Sequence, residues 1–158
     1  MFRPMRRKSR AISNEDARAL LASAKRGVFA VNGDDDYPFA FPVDYYYDEP
    51  AGSIFFHGAK TGYKVDALKR CNKICFTVIG PNRFEENDWA PYVQSVIVYG
   101  TCTLVDDDTE TEERVRKLAL KYYPTRAEVE NEISKHLAGV QLYRIDIEHL
   151  TGKQVHEK

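Results

Sequence analysis

The chain has 158 residues, 43% of them apolar and 30% charged, with 23 basic residues against 24 acidic ones. This length and apolar content fit one globular domain that can bury about 70% of its unfolded surface without disulfides or a structural metal. They argue against collagen, coiled coil and a disordered chain, and no apolar run approaches the ~18 residues that span a bilayer, so no membrane partner is expected.

The two signs of charge are unevenly spread. Arg3, Arg6, Arg7, Lys8 and Arg10 place five positive charges and no acid in the first ten residues, leaving 18 basic against 24 acidic residues and a net charge of −6 in the remainder. Residues 1–12 therefore read as a basic arm, either a solvated tail or a contact for phosphates or lipid headgroups, and residues 13–158 as one domain. An acidic body lacks the clustered basic face that nucleic-acid binding requires. No apolar stretch follows the arm to make it a secretory signal, and three cysteines are not a disulfide framework. A reducing cytoplasm is the expected compartment.

In chain order, Ser13 and Asp16 form a variant capping box. Behind it Ala17, Leu20, Leu21 and Ala24 make one apolar helical stripe that Gly27 is expected to stop. Val28-Phe29-Ala30-Val31 opens a strand. The turn Asn32-Gly33-Asp34-Asp35-Asp36 leads to a second strand in which Phe39, Phe41, Val43, Tyr45 and Tyr47 alternate. After the turn at 48–52, Ile54-Phe55-Phe56-His57 is a short third strand, and the three together read as a β-meander.

Residues 63–70 form a short helix with Val65 and Leu68 inward. Ile74, Phe76 and Val78 mark a buried strand that ends at Gly80-Pro81. A polar loop containing Trp89 then precedes the longest strand, 93–105, with Val96, Val98, Cys102 and Leu104 on one side. Asp106-Asp107-Asp108 opens a helix, where acids favour the macrodipole, and its inner face is Val115, Leu118, Ala119 and Tyr122. Residues 126–136 are a further helix and 140–147 a last strand. Six strands joined by short turns predict a mainly β, antiparallel barrel, closed or nearly so, with peripheral helices.

The segment His57-Gly58-Ala59-Lys60-Thr61-Gly62-Tyr63-Lys64 is the most informative for chemistry. It ends a strand and opens a helix. Its glycines let backbone N–H groups turn toward an anion, while Lys60 and Lys64 bring full positive charges. It reads either as a phosphate cradle or as a plain glycine-rich strand-to-helix turn with solvated lysines. It is not a Walker loop, since Tyr63 stands before Lys64, and no Gly-x-Gly-x-x-Gly occurs. His57 is either a hydrogen-bonded structural residue or a catalytic one. His136, His149 and His156 share no metal-ligand spacing with it, so no metal site is expected. The many aromatic residues read as barrel core, and outward-facing Tyr45, Tyr46 or Tyr47 would suit a cleft for a flat ligand.

In order along the chain stand Met5-Arg6-Arg7-Lys8, Gly27-Val28-Phe29-Ala30-Val31, Tyr37-Pro38-x-Ala40-x-Pro42-Val43-x-Tyr45 and Ile54-x-Phe56-His57-Gly58-Ala59-x-x-Gly62-x-Lys64. Cys75-Phe76-Thr77-Val78, Ser95-Val96-Ile97-Val98-Tyr99-Gly100 and Arg144-Ile145-Asp146-Ile147-x-x-Leu150-Thr151-Gly152-Lys153 follow. This series resembles the pyridoxamine 5′-phosphate oxidase-like flavin-binding proteins, and within them the Nim-type nitroimidazole-resistance branch.

The resemblance implies a Greek-key split β-barrel homodimer with FMN, less often FAD, in two clefts at the subunit interface. It sets Pro42, Val43, Asp44 and Tyr45 beside the isoalloxazine ring, and His57 and Gly58 near the ring and ribityl chain. Ala59, Gly62, Tyr63 and Lys64 would surround the phosphate, with Ser95 reaching the flavin. His57 would be the proton donor or substrate contact. The Arg- and His-bearing C-terminal signature of the vitamin-forming oxidases is missing, and Tyr63 stands where they carry a basic residue. Oxidation of pyridoxamine phosphate itself is therefore not expected. The implied function is a flavin-dependent oxidoreductase acting on a small flat substrate, including nitroimidazole-type compounds. The alternatives are a non-catalytic flavin-binding or sensing protein and, against the acidic body, an oligonucleotide-binding barrel.

Overall fold

The computed structural model describes residues 1–156 and 158, and the core is one antiparallel sheet. The elements run α1 (Asn14–Ser23), β1 (Arg26–Asn32), β2 (Pro38–Asp44), β3 (Tyr46–Asp48), β4 (Ser53–Ala59), α2 (Tyr63–Arg70), β5 (Lys73–Ile79), β6 (Tyr92–Val105), α3 (Asp108–Leu120), α4 (Arg126–His136) and β7 (Val140–His156). Strand order is β2-β1-β5-β6-β7-β4-β3. The first and last strands of that order, β2 and β3, are separated in sequence by Tyr45 alone. The sheet must therefore curl until its two edges nearly meet, which makes a split barrel.

The strands number seven rather than six. Phe39, Phe41, Val43, Tyr45 and Tyr47 do keep one inward phase, as their alternation predicts. The ribbon nevertheless breaks at Tyr45, because β2 pairs with β1 while β3 pairs with β4. Alternation reports which face a side chain takes and is silent about the partner strand. For the same reason the meander is interrupted: β4 crosses to pair with β7.

Other bounds moved for identifiable reasons. The first helix ends at Ser23, not at Gly27, which already lies in β1 with the Phe76 ring filling the space of its missing side chain. The last strand continues from 147 to His156, because β6 offers a partner along its whole length once Glu148 is taken up as an extra residue opposite Tyr99 and Gly100. Tyr45 and Tyr47 face inward and are buried, not outward. The Tyr45 hydroxyl donates to the Leu21 carbonyl at 2.5 Å, and burial raises its pKa.

Several readings hold as made. Ser13 caps α1 by accepting from Asp16 N at 3.0 Å. Asp107 and Thr125, not read as caps from sequence, cap α3 and α4 in the same way. Phe29, Phe56, Phe76, Val96, Val98 and Ile145 fill the barrel, and a smaller cluster of Phe55, Val105, Val115 and Leu142 seats α3 on the barrel's outside. The basic arm lies along β6 and β7: Ala11 bridges to Lys153, and Phe2 stacks on His149 with ring centres 4.6 Å apart. Among the described residues no helix is long and apolar enough to cross a membrane.

Candidate functional site

Where β2 and β3 part company, the barrel opens. Among the described residues the outer edge of β2 has no partner strand, and β4 beyond Phe55 pairs with β7 alone. Phe29 bridges the floor of this split, 5.2 Å from Phe41 of β2 and 5.3 Å from Phe56 of β4.

Lys64, from the first turn of α2, reaches into the split. Its Nζ lies 5.1 Å from the centre of the Phe41 ring and 5.4 Å from that of Tyr143. It runs directly over Gly58, where a Cβ would stand 2.8 Å from Nζ. The glycine allows this close approach: a larger residue would push the flexible end of the lysine aside. No carboxylate among the described residues pairs with Lys64, and desolvation holds its pKa below the usual lysine value. A half-buried ammonium with no counter-ion is an anion site in waiting.

The backbone completes the cradle. Gly62, at φ +118°, precedes α2 and leaves its N-terminus with no side-chain cap. The amides of Tyr63 and Lys64 have no intrahelical acceptor there, and the helix dipole favours an anion. Tyr63 itself is otherwise engaged. Its hydroxyl accepts from Asp34 N at 2.6 Å and its ring packs 4.3 Å from Phe39, which turns the side chain toward the 33–39 segment and leaves its amide at the helix start.

His57 stands at the mouth of the split on the exposed side of β4. Desolvation first, and then the Lys64 charge, lower its pKa, while Asp44 opposes them. Both lowering causes favour the neutral ring. Beyond it lies a cavity of about 270 Å³ under α3 and α4, lined by Asp44, His57, Leu118, Ala119, Ile133 and His136 among others. Asp44 is bound to Arg26 at 2.8 Å.

The structure therefore brings Asp44, His57, Gly58, Gly62, Tyr63 and Lys64 around one opening, with Pro42 and Val43 on its β2 edge and Ala59 ending its β4 edge. Tyr45 lies beneath it, buried. Ser95 is elsewhere, on β6 between Ile79 and Lys153, lining a separate hollow of about 200 Å³ with Arg3, Met5 and Tyr99. Tyr143 was not singled out from sequence, and Phe41, Val115, Leu118 and Ala119 read there as inward-facing positions, not as site residues. Only their apolar character was visible there, and apolar residues are assigned to a core by default.

The family model for pyridoxamine 5′-phosphate oxidase matches residues 13–154. Among solved structures the chain is similar to a candidate 5-nitroimidazole antibiotic resistance protein from Bacteroides thetaiotaomicron, at 15% identity over 92% of this chain and 87% of that one, TM-score 0.75. It is also similar to an FAD-binding protein from Mesorhizobium loti (17% identity, 92% and 97% covered, TM-score 0.67). A third is an FAD- and haem-binding protein from Mycobacterium smegmatis (19% identity, 96% and 75% covered, TM-score 0.74). At such identities the likeness is one of fold. No curated protein matches the chain. The match over residues 13–154 and the split barrel agree: the chain belongs to the pyridoxamine 5′-phosphate oxidase family.

Proposed function

We propose that this protein binds a flavin nucleotide, FMN in the first place and FAD in the second, in the split between β2 and β4, and works as a flavin-dependent oxidoreductase. The observation that carries the reading is Lys64: an unpaired, partly desolvated ammonium held over Gly58 beside an uncapped helix N-terminus. Such a place fits the terminal phosphate of a nucleotide cofactor. The FAD-binding proteins of the same fold support the choice of cofactor.

In this reading Lys64 and the Tyr63 and Lys64 amides hold the phosphate, while Gly58, Ala59 and Gly62 let it approach the backbone. Pro42, Val43 and Asp44 flank the ring through the open edge of β2, where backbone groups lack strand partners, and Tyr45 supports them from beneath with its own backbone groups already bound. His57 offers a proton donor or acceptor at the mouth. When bound, the flavin supplies redox chemistry that no side chain has.

The functional unit is proposed to be a homodimer. Pro42, Val28, Thr77, Ile97 and Thr151 stand in register across β2, β1, β5, β6 and β7. With Ile79 (67% exposed) and Tyr99, on which Phe2 of the arm stacks, they give the sheet a largely apolar, partly exposed outer face. A face of this kind marks an interface. Because β2 borders both that face and the split, a partner seated on it brings its own residues, Ser95 included, toward the cofactor.

Purified protein mixed with FMN and with FAD tests the reading. Saturable quenching of flavin fluorescence and a shifted visible spectrum are expected, and failure to bind either nucleotide overturns it. Stopped-flow mixing of the reduced protein with small flat acceptors, nitro-aromatics included, separates an enzyme from a passive carrier. Reoxidation no faster than that of free flavin rejects the enzyme.

A further inference from the structure

The cavity under α3 and α4 has a chemistry of its own. Its walls are Val115, Leu118 and Ala119 of α3, Ile133 of α4, Leu137 just after it and Val140 of β7, and its lining includes His57. Lys64 is not among its lining residues. His57 therefore borders two compartments, one with an ammonium and one without.

We infer that the α3–α4 cavity is the substrate compartment and takes an uncharged single-ring aromatic or heteroaromatic compound. Calling the ring a substrate rests on the flavin reading above; its binding does not. Volume gives the size: a cavity of ~150 Å³ takes benzene, so about 270 Å³ takes one ring with small substituents.

Charge gives the class. Two acids stand at the rim, Asp44 paired with Arg26 at 2.8 Å and Glu132 3.6 Å from the His136 imidazole on the next turn of α4. Among the described lining residues there is no Lys or Arg. A phosphorylated ring would set its dianion beside Asp44 and Glu132 with no Lys or Arg in the lining to pair with it, so the substrate in the family's name is disfavoured here. A neutral ring buries its faces on Leu118 and Ile133 and directs its polar substituent to His57 or His136.

The test is a titration of the flavin-loaded protein with benzamide, followed by the methyl NMR signals of Val115, Leu118 and Ile133. Saturable shifts with a dissociation constant of about 1 mM are expected, and pyridoxamine 5′-phosphate should bind at least tenfold more weakly. Ala119→Trp fills the cavity and should abolish the shifts of the remaining methyls. Ile133→Phe, a milder filling that keeps the helix apolar, should weaken benzamide at least tenfold. Lys117→Ala, on the solvent side of α3, should change nothing. No shift with flavin still bound, equal affinity in Ile133→Phe, or a preference for the phosphorylated amine overturns the inference. Bound flavin is read from visible absorption in the same sample, so loss of flavin with the benzamide shifts intact counts against the cofactor reading alone.

Discussion

Lys64→Ala separates a binding role from a structural one. In the unliganded chain the ammonium has lost part of its hydration, as its lowered pKa records, and has no carboxylate in return. Its compensation is two ring faces, at 5.1 and 5.4 Å, each worth about 0.5–1 kcal/mol at a partly exposed site. Desolvation and ring contacts nearly offset, so removal should change folding stability by less than about 1 kcal/mol. Affinity for a phosphate is different. A charge-assisted hydrogen bond contributes about 1.5–3 kcal/mol, so the FMN dissociation constant should rise roughly 10- to 150-fold. Riboflavin, which has the same ring and no phosphate, should bind wild type and variant equally. Urea unfolding and flavin-fluorescence titrations with both ligands measure the three quantities. An unchanged constant for FMN, or an equal loss for riboflavin, refutes the assignment of Lys64 to the phosphate.

Gly58→Val should reproduce the FMN defect with Lys64 intact, since a side chain there begins 2.8 Å from Nζ and 3.2 Å from the Tyr143 ring; retained affinity in a flavin titration would contradict the close approach. His57 should titrate below the ordinary histidine range by NMR, and its pKa should rise in Lys64→Ala as the second cause of its depression is removed; identical curves would place the two apart. Lys121 titrates at about 8, chiefly through burial, while donating to the Ala24 and Tyr45 carbonyls. Between pH 8 and 10 the unfolded chain holds more protons at this residue, so its contribution to stability rises with pH, and denaturation of Lys121→Met should show a flatter profile across that window. Ile97→Glu, on the outer face of β6, should convert the proposed dimer to monomer in sedimentation; an unaltered mass would remove that face from the interface.

What could be read from sequence was local. Helix caps depend on neighbouring residues, and Ser13 accepts the amide of Asp16 as its capping box predicts. The strand-to-helix bend at 57–64 was legible because glycines and lysines are conspicuous at such a place. Partnering was not legible. Nothing between Phe39 and Tyr47 says that β1 takes one half of the ribbon and β4 the other, since the alternation runs through the break. The rings beside Lys64 were hidden for a related reason: Phe41 and Tyr143 lie about a hundred residues apart and meet only because the sheet curls.

The break at Tyr45 is therefore the feature on which the site depends, and the chain anchors it from three sides. Its hydroxyl is fixed to the Leu21 carbonyl of α1. Its amide donates to the Tyr122 hydroxyl at 2.9 Å, and its carbonyl accepts from the same hydroxyl at 2.7 Å and from Lys121 Nζ at 3.2 Å. These backbone groups would otherwise continue a strand ladder. Bound to side chains that follow α3, they are satisfied without one, so β2 can diverge from β4 at no hydrogen-bond cost. The helical hairpin that roofs the substrate cavity thus also holds open the split beside it, and one segment of chain, 108–136, gives both compartments their shape.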